Sequence, residues 1–199
     1  MSYYIIEGVD GSGKDTQGDL LAEHLSKKHK VLRVNEPDNS LPTGQLLREM
    51  LKDGSYVSAH AALFLADRMA MLSERVIPAL QKNQHVVSVR SWMSTLVYQQ
   101  ENWPLEWLFA LHKQLPARAN HLILLDLDPE EALGRATLRP GHTEFYEKVE
   151  IQQRNRQRYL DIASKAKPFL AEEGKVHVID ASGNPAVVHQ KILVALGLR

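Results

Sequence analysis

Residues 8–16 read Gly-Val-Asp-Gly-Ser-Gly-Lys-Asp-Thr, close to the phosphate-loop pattern Gly-x-x-x-x-Gly-Lys followed by a hydroxyl residue. In such a loop the glycines let backbone N–H groups turn towards phosphate oxygens, and the next helix and the lysine add positive charge. This chemistry suits the polyphosphate of ATP or GTP. The loop residues expected to contact it are Gly8, Gly11, Ser12, Gly13, Lys14, Asp15 and Thr16.

The residue after the lysine departs from this pattern. A hydroxyl at that position would bind the magnesium ion, but the chain has Asp15 there and Thr16 one place later. Magnesium prefers oxygen ligands, so Asp15 is a candidate metal ligand. The alternative is that Asp15 only caps the helix, where negative charge is favoured in its own right.

The composition restricts the class of protein. A chain of 199 residues with 44% apolar residues is long enough for one domain with a sizeable core, which we place at residues 1–199. The 24 basic and 24 acidic residues cancel, which argues against nucleic acid or an anionic membrane as partner. No cysteine, signal peptide or long apolar span is present, and we therefore expect a cytoplasmic protein.

Hydrophobic patterning predicts the elements that position the loop. Five short apolar runs read as buried parallel strands, at residues 3–7, 31–34, 85–89, 121–127 and 175–179. Helical spacing covers residues 16–28, 59–80, 129–138, 144–172 and 186–196. This alternation predicts an α/β fold, a five-stranded parallel sheet sandwiched by helices, with ligands at the carboxyl ends of the strands.

Further motifs follow in order along the chain. Residues 35–37 read Asn-Glu-Pro, residues 63–68 read Leu-Phe-Leu-Ala-Asp-Arg, and residues 89–99 read Val-Arg-Ser-Trp-Met-Ser-Thr-Leu-Val-Tyr-Gln. Residues 133–135 read Leu-Gly-Arg, and residues 144–147 read Glu-Phe-Tyr-Glu. Together with the phosphate loop, these segments resemble the thymidylate kinase family over nearly the whole chain. The resemblance implies a P-loop fold with a short lid at about residues 137–147, and ATP, Mg²⁺ and dTMP as ligands.

The resemblance also implies which residues bind the acceptor nucleotide. Phe64 and Arg68 lie four residues apart on one helix face, where the family stacks a pyrimidine and donates to its carbonyl. Arg90 would clamp the acceptor phosphate, and Asp10 would meet the 3′-hydroxyl. Arg48 is either a further phosphate contact or an ordinary surface arginine. The other acceptor-site residues implied are Glu36, Pro37, Ser94, Thr95, Tyr98 and Tyr146.

On the donor side, the resemblance places Arg135 beside the adenine and Asp180 in the loop along its edge. The lid signature has Phe145 where the family has arginine, so Arg139 becomes the candidate that stabilises the transferring phosphoryl group. The catalytic set is then Lys14, Asp10, Arg90 and Arg139. Two further arginines, Arg156 and Arg158, read as solvated surface.

Several departures from the family leave alternatives open. Val89 replaces the aspartate at the end of the third strand, and Ser91 and Asn35 replace an aromatic residue and an arginine. The chain is therefore read first as an ATP-dependent dTMP kinase and second as a kinase for another monophosphate or a modified pyrimidine. A third reading is a catalytically weak nucleotide-binding module. The family resemblance implies a homodimer, with the apolar face of residues 59–80 as its interface.

Overall fold

Five parallel strands form one sheet, in a computed structural model that describes residues 1–137 and 149–198. Their order across the sheet is β2-β3-β1-β4-β5. The central strand is buried along its whole length, which explains its unbroken apolar run. The predicted sheet is confirmed, and the strands are β1 (Tyr3–Gly8), β2 (Val31–Asn35), β3 (His85–Val89), β4 (Ala119–Asp126) and β5 (Leu170–Asp180).

Helices connect the strands and cover both faces of the sheet. No helix among the described residues is long and apolar enough to cross a membrane. The helices are α1 (Lys14–Ser26), α2 (Pro42–Asp53), α3 (His60–Met71), α4 (Ile77–Gln81), α5 (Trp92–Tyr98), α6 (Leu105–His112), α7 (Pro129–Thr137), α8 (Val149–Ala163) and α9 (Pro185–Leu196).

The helix predicted for residues 59–80 continues through a wider π-helical turn at Leu72–Val76, which joins α3 to α4. This turn lies just before Pro78, whose ring and missing N–H disrupt regular α-helical hydrogen bonding. The helical segment ends at Gln81, within one residue of the predicted bound, because the wider turn accommodates the proline.

The helix predicted for residues 144–172 is wrong at its C-terminal end. Helix α8 ends at Ala163, and β5 begins at Leu170, two residues after Pro168. A proline disfavours helical conformation in the residue before it, which separates the two elements. The pairing of β4 with β5 shifts register between Ala119 and His121, so the strand starts earlier than its regular apolar run indicates.

The strand register brings the predicted motifs to one edge of the sheet. Ile6 of β1 pairs with Val89 of β3, and Val89 also pairs with Asn35 of β2. The phosphate loop, the Asn-Glu-Pro segment and Arg90 therefore follow three neighbouring strand ends.

A row of histidines crosses the sheet near the amino ends of its strands. Tyr4 stacks on His121 with 5.0 Å between ring centres and also contacts His85. His121 Nδ1 lies 3.2 Å from His177 Nε2, so one of these rings donates to the other. Burial lowers the pKa of His85, His121 and His177, and Lys175 lowers the last two further. The native protein therefore keeps these rings neutral at neutral pH.

Lowering the pH should destabilise the protein, because these three histidines bind protons more readily in the unfolded chain. Their native pKa values lie below the unfolded value of about 6.5, so the unfolded chain binds more protons as the pH falls. We expect the free energy of unfolding to decrease between about pH 7 and pH 5, and to decrease less in an H121Q/H177Q double variant. Urea denaturation at several pH values measures both slopes. Equal slopes for the two proteins would contradict the assignment.

Candidate active site

The phosphate loop connects β1 to α1 and depends on glycine at two positions. Gly11 and Gly13 adopt positive φ angles of 86° and 88°, which side-chain-bearing residues rarely take. A Cβ atom on Gly11 would lie 1.9 Å from the carbonyl oxygen of Ala132. Gly13 is also the residue that caps α1, so Asp15 lies inside the first helical turn and is not the cap itself. The loop can therefore curl with its backbone N–H groups turned inward.

Lys14 is folded back across this loop. Its ammonium group donates to the carbonyl oxygens of Gly8 at 2.8 Å and Val9 at 2.7 Å, and lies 3.5 Å from an Asp10 oxygen. Burial lowers the pKa of Lys14 to about 8, and the nearby Arg90 cation adds to this effect. Phosphate oxygens placed beside this ammonium would favour its charged form.

Asp10 joins the phosphate loop to the end of β3. Its carboxylate accepts a short hydrogen bond from Arg90, while the Tyr98 hydroxyl lies 3.4 Å from its other oxygen. Burial alone would raise the pKa of Asp10, but Arg90 and Lys14 hold it well below its ordinary range. Arg90 has a positive φ of 66°, unusual for a residue with a side chain, and such strain is concentrated at functional sites.

A cleft of about 240 Å³ opens beside this ion pair. It brings together most residues predicted for the acceptor nucleotide, with the phosphate-binding candidates and the base-binding candidates in one wall. Gln99 and Leu51 were missed from sequence, and Ser91 appeared only as a departure. The residues that line the cleft are Asp10, Glu36, Pro37, Arg48, Leu51, Phe64, Arg68, Arg90, Ser91, Ser94, Tyr98 and Gln99.

Behind the cleft lies a buried ion pair. Arg68 Nε donates to Glu36 Oε2 at 2.8 Å, and Arg68 Nη2 donates to the Thr95 hydroxyl at 3.1 Å. Both charged side chains are 2% exposed, and burial raises the pKa of Glu36 to about 7 although Arg68 opposes the shift. Thr95 does not line the cleft as predicted, because its hydroxyl faces Arg68. It supports the arginine from behind.

Glu7 is a central residue of the site that the motifs did not reveal. It is fully buried at the end of β1 and accepts hydrogen bonds from the Ser91 hydroxyl, the Ser94 hydroxyl and the Ser94 backbone, at 2.8–3.1 Å. The Tyr159 hydroxyl lies 3.3 Å from its second oxygen. The available signal was an acidic residue at the end of an otherwise apolar strand. Glu7 thus anchors the start of α5, which carries the cleft residues Ser94 and Tyr98.

A second cleft of about 200 Å³ lies on the other side of the phosphate loop. The Ser12 hydroxyl is buried there without a hydrogen-bond partner among the described residues, as expected of a group that meets phosphate. Arg135 donates to the carbonyl oxygens of Ala181 and Gly183, which fixes one wall. The lining residues are Gly11, Ser12, Gly13, Thr16, Gln17, Arg135, Gly183, Pro185 and Val188.

Four residues predicted for the donor side do not line this cleft: Gly8, Lys14, Asp15 and Asp180. Asp180 is exposed and pairs with Lys191 at 2.8 Å, so it shapes the loop from its outer side. Asp15 is exposed on the first turn of α1. Burial lowers the pKa of both Lys14 and Arg33, and the negative charge of Asp15 opposes this shift in each, so Asp15 lies near both cations. The described residues contain no group of three acidic or histidine side chains that could hold a metal alone.

The prediction that Arg156 and Arg158 are merely solvated is wrong. Arg156 binds the Asp126 carboxylate through two hydrogen bonds of 2.6 and 2.8 Å. Arg158 pairs with Glu101 at 2.8 Å and donates to the Val97 carbonyl. Both arginines therefore fasten α8 to the strand-end side of the molecule. Two other predicted site residues, Arg139 and Tyr146, lie outside the described residues, as does most of the predicted lid.

Removing the charge of Glu7 should loosen this site. In Glu7→Gln, an amide NH2 group would replace one carboxylate oxygen and face the groups that now donate to it, such as the Ser94 and Tyr159 hydroxyls at Oε2. We expect the free energy of unfolding to fall by about 1–3 kcal/mol, the usual cost of disrupting buried hydrogen bonds. Urea denaturation measures it, with the exposed Glu49→Gln as control. A Glu7 variant as stable as this control would contradict the anchoring role.

Comparison with known proteins agrees with this geometry. The profile of the family described as thymidylate kinase matches residues 6–192. A probable thymidylate kinase of Pyrococcus abyssi is 34% identical over 96% of this chain and 93% of its own length. One from Pyrococcus horikoshii is 40% identical over 81% and 82%, and a thymidylate kinase of Symbiobacterium thermophilum is 34% identical over 96% and 91%. The chain belongs to the thymidylate kinase family.

Proposed function

We propose that this protein transfers the γ-phosphoryl group of ATP to dTMP and releases ADP and dTDP. One observation carries the proposal: the Asp10–Arg90 pair forms the boundary between the phosphate loop and a cleft that contains Phe64 and Arg68. An aromatic ring and an arginine in one cleft suit a pyrimidine base, and a second arginine suits a phosphate. Two nucleotides bound on either side of this boundary would present their phosphates to each other.

The residues of the chain act mainly by positioning and by charge stabilisation, which is what phosphoryl transfer requires. Lys14 would exchange its bonds to loop carbonyls for bonds to ATP phosphates, and Ser12 would gain the partner it lacks. Arg90 would hold the acceptor phosphate in line with the γ-phosphoryl group. The attacking oxygen belongs to an anionic monophosphate, so no side chain has to remove a proton.

The acceptor cleft accounts for a preference for a deoxynucleotide. Tyr98 packs beside Arg90, whose guanidinium carbon lies 5.8 Å from the ring centre, and approaches Asp10. A phenol ring in this position would leave little space beside the sugar, while Asp10 remains close enough to meet a hydroxyl. Phe64 and Arg68 would contact the base. Because Ser91 replaces an aromatic residue of the family, the preference for one base over another is the property to measure.

For the metal, we propose that Asp15 substitutes for the carboxylate that Val89 lacks. Val89 is an apolar side chain that is 2% exposed, so it cannot bind a cation, whereas Asp15 and Thr16 present oxygens at the surface of the phosphate loop. Magnesium commonly uses one or two protein oxygens together with phosphates and water. When bound, the ion would neutralise charge on the ATP phosphates.

Three further proposals rest on the family and on surface features. Arg139 supplies the cation that stabilises the transferring phosphoryl group.

A second copy of the chain packs against α3, where Ala62, Ala66 and Met69 are exposed on one face. Light scattering would give the mass of the assembly. The protein acts in the cytoplasm, in keeping with a chain that has no cysteine.

The activity is tested by a coupled ADP-release assay with Mg-ATP and a panel of dTMP, dUMP, dCMP, dGMP, dAMP and UMP. We expect kcat/KM for dTMP to exceed that for every other acceptor, and Arg90→Ala to lower it at least about a hundredfold because a phosphate contact in the transition state is lost. A preference for another monophosphate would instead support an altered base specificity. ATP binding without any turnover would identify a weak binding module.

The role of Asp15 is tested with Asp15→Ser and Asp15→Asn. If Asp15 holds the metal, both variants should need more magnesium for half-maximal activity, and kcat should fall about tenfold or more. Asn retains a similar shape and hydrogen-bonding oxygen but loses the charge, so it separates metal binding from local helix structure. Magnesium titrations that coincide with those of the unmodified protein would leave Asp15 only its electrostatic role at the start of α1.

A further inference from the structure

Arg68 lines a second, much smaller cavity besides the acceptor cleft. Its volume is about 10 Å³, which is close to the space that one water molecule needs. Most of its wall is apolar, with Ile5, Leu72 and Phe169 among the lining residues. Polar side chains also line it, and four of them carry the argument: Glu36, Arg68, Trp92 and His112.

Each of these four side chains has a buried polar atom that lacks a hydrogen-bond partner within residues 1–137 and 149–198. The atoms are Glu36 Oε1, Arg68 Nη1, Trp92 Nε1 and His112 Nε2. The residues are between 0% and 4% exposed, so bulk water does not reach these atoms. Each unpaired buried polar atom lowers the free energy of unfolding by about 1–3 kcal/mol. Four such atoms on side chains that line one small cavity indicate a shared hydrogen-bond partner.

The four atoms divide evenly into donors and acceptors. Arg68 Nη1 and Trp92 Nε1 carry hydrogens and can only donate. Glu36 Oε1 accepts in the ionised carboxylate, which is the form that the charge of Arg68 and its hydrogen bonds favour against burial. His112 Nδ1 lies 2.7 Å from the Leu108 carbonyl oxygen, so Nδ1 carries the ring hydrogen and Nε2 is left as an acceptor. Burial, with a smaller effect from Arg68, lowers the pKa of His112 to about 3, so the ring stays neutral.

We propose that this cavity binds one water molecule, which accepts from Arg68 and Trp92 and donates to Glu36 and His112. A cation there would face the Arg68 guanidinium, and an anion would face the Glu36 carboxylate. A water molecule is neutral and offers two donors and two acceptors, so it can form one hydrogen bond to each of the four atoms. The structure thereby assigns His112, a residue outside the acceptor cleft, as a positioning residue for Arg68.

The consequence for the reaction rests on the proposed function. Arg68 is held at Nε and Nη2 by Glu36 and at Nη2 by Thr95, so Nη1 is the end of the guanidinium that no other described residue holds. A water held by Trp92 and His112 would fix this end. The guanidinium is planar and rigid, so fixing Nη1 fixes the orientation of the whole group. The water would therefore set the orientation of the arginine that meets the base.

A crystal structure of the full chain at about 1.5 Å resolution tests the water directly. We expect one ordered density peak at about 2.7–3.2 Å from all four atoms. An empty cavity, or direct contacts between these side chains that close it, would overturn the proposal. This result does not depend on whether dTMP is the substrate, so it separates failure of this proposal from failure of the proposed function.

Kinetics of three variants test the positioning role. His112→Leu removes the acceptor, whereas His112→Gln can place an amide oxygen near the position of Nε2. We expect His112→Leu to raise KM for dTMP about tenfold, with kcat and KM for ATP nearly unchanged, and His112→Gln to restore most of the loss. His177→Leu removes a half-buried histidine away from both clefts and controls for general destabilisation, which thermal unfolding of all three variants reports.

The outcomes distinguish positioning from packing. If His112 only fills space, His112→Leu should lower the melting temperature without a selective change in KM for dTMP, and His112→Gln should rescue nothing. Parallel increases in KM for both nucleotides would also overturn the positioning role. If the unmodified protein does not phosphorylate dTMP, the proposed function fails, whereas the crystallographic test of the water stands unaffected.

Discussion

The site depends on one shared carboxylate. Asp10 lies on the phosphate loop, yet its oxygens meet Lys14 from the same loop and Arg90 from the end of β3. Two cations brought this close would repel each other in a buried setting, and the carboxylate between them offsets that repulsion. The donor and acceptor sides are therefore joined electrostatically before either nucleotide binds. Each cation already lies near the phosphates that it would contact.

Behind this charged boundary, the cleft has a floor of buried polar groups. Glu7 holds the start of α5 through Ser91 and Ser94, and Glu36 holds Arg68. Burying two carboxylates costs free energy, so neither is explained by stability alone. The two carboxylates orient the side chains that bind them, because hydrogen bonds fix side-chain orientation in a way that apolar packing does not. A cleft that must read a base and align a phosphate needs this rigidity.

The departures from the family pattern lie at the proposed metal site and at the end of the cleft proposed to bind the base. The loss of a carboxylate at Val89 coincides with the gain of one at Asp15, which lies on a different element but beside the same loop. At the base end, Ser91 replaces an aromatic residue and uses its hydroxyl to bind Glu7 and to cap α5. This substitution therefore has a structural role of its own, and Phe64 and Tyr98 are the aromatic side chains among the described residues that line the cleft.

The sequence by itself determined the parallel sheet, the phosphate loop and most of the acceptor cleft. Apolar runs, glycine spacing and short motifs are local features, so the strands, the loop and the site residues that they predict can be read without knowledge of distant residues. The π-helical turn before Pro78 and the end of the helix before Pro168 were not predicted, because such a turn and a shifted strand register depend on packing. Only the tertiary structure decided how the buried groups pair. Glu7, Thr95 and Arg156 meet partners between 27 and 152 residues away, and His112 lines a cavity together with Glu36, Arg68 and Trp92. Spacing along the chain does not encode such contacts, because they arise when separate strand ends meet at one edge of the sheet.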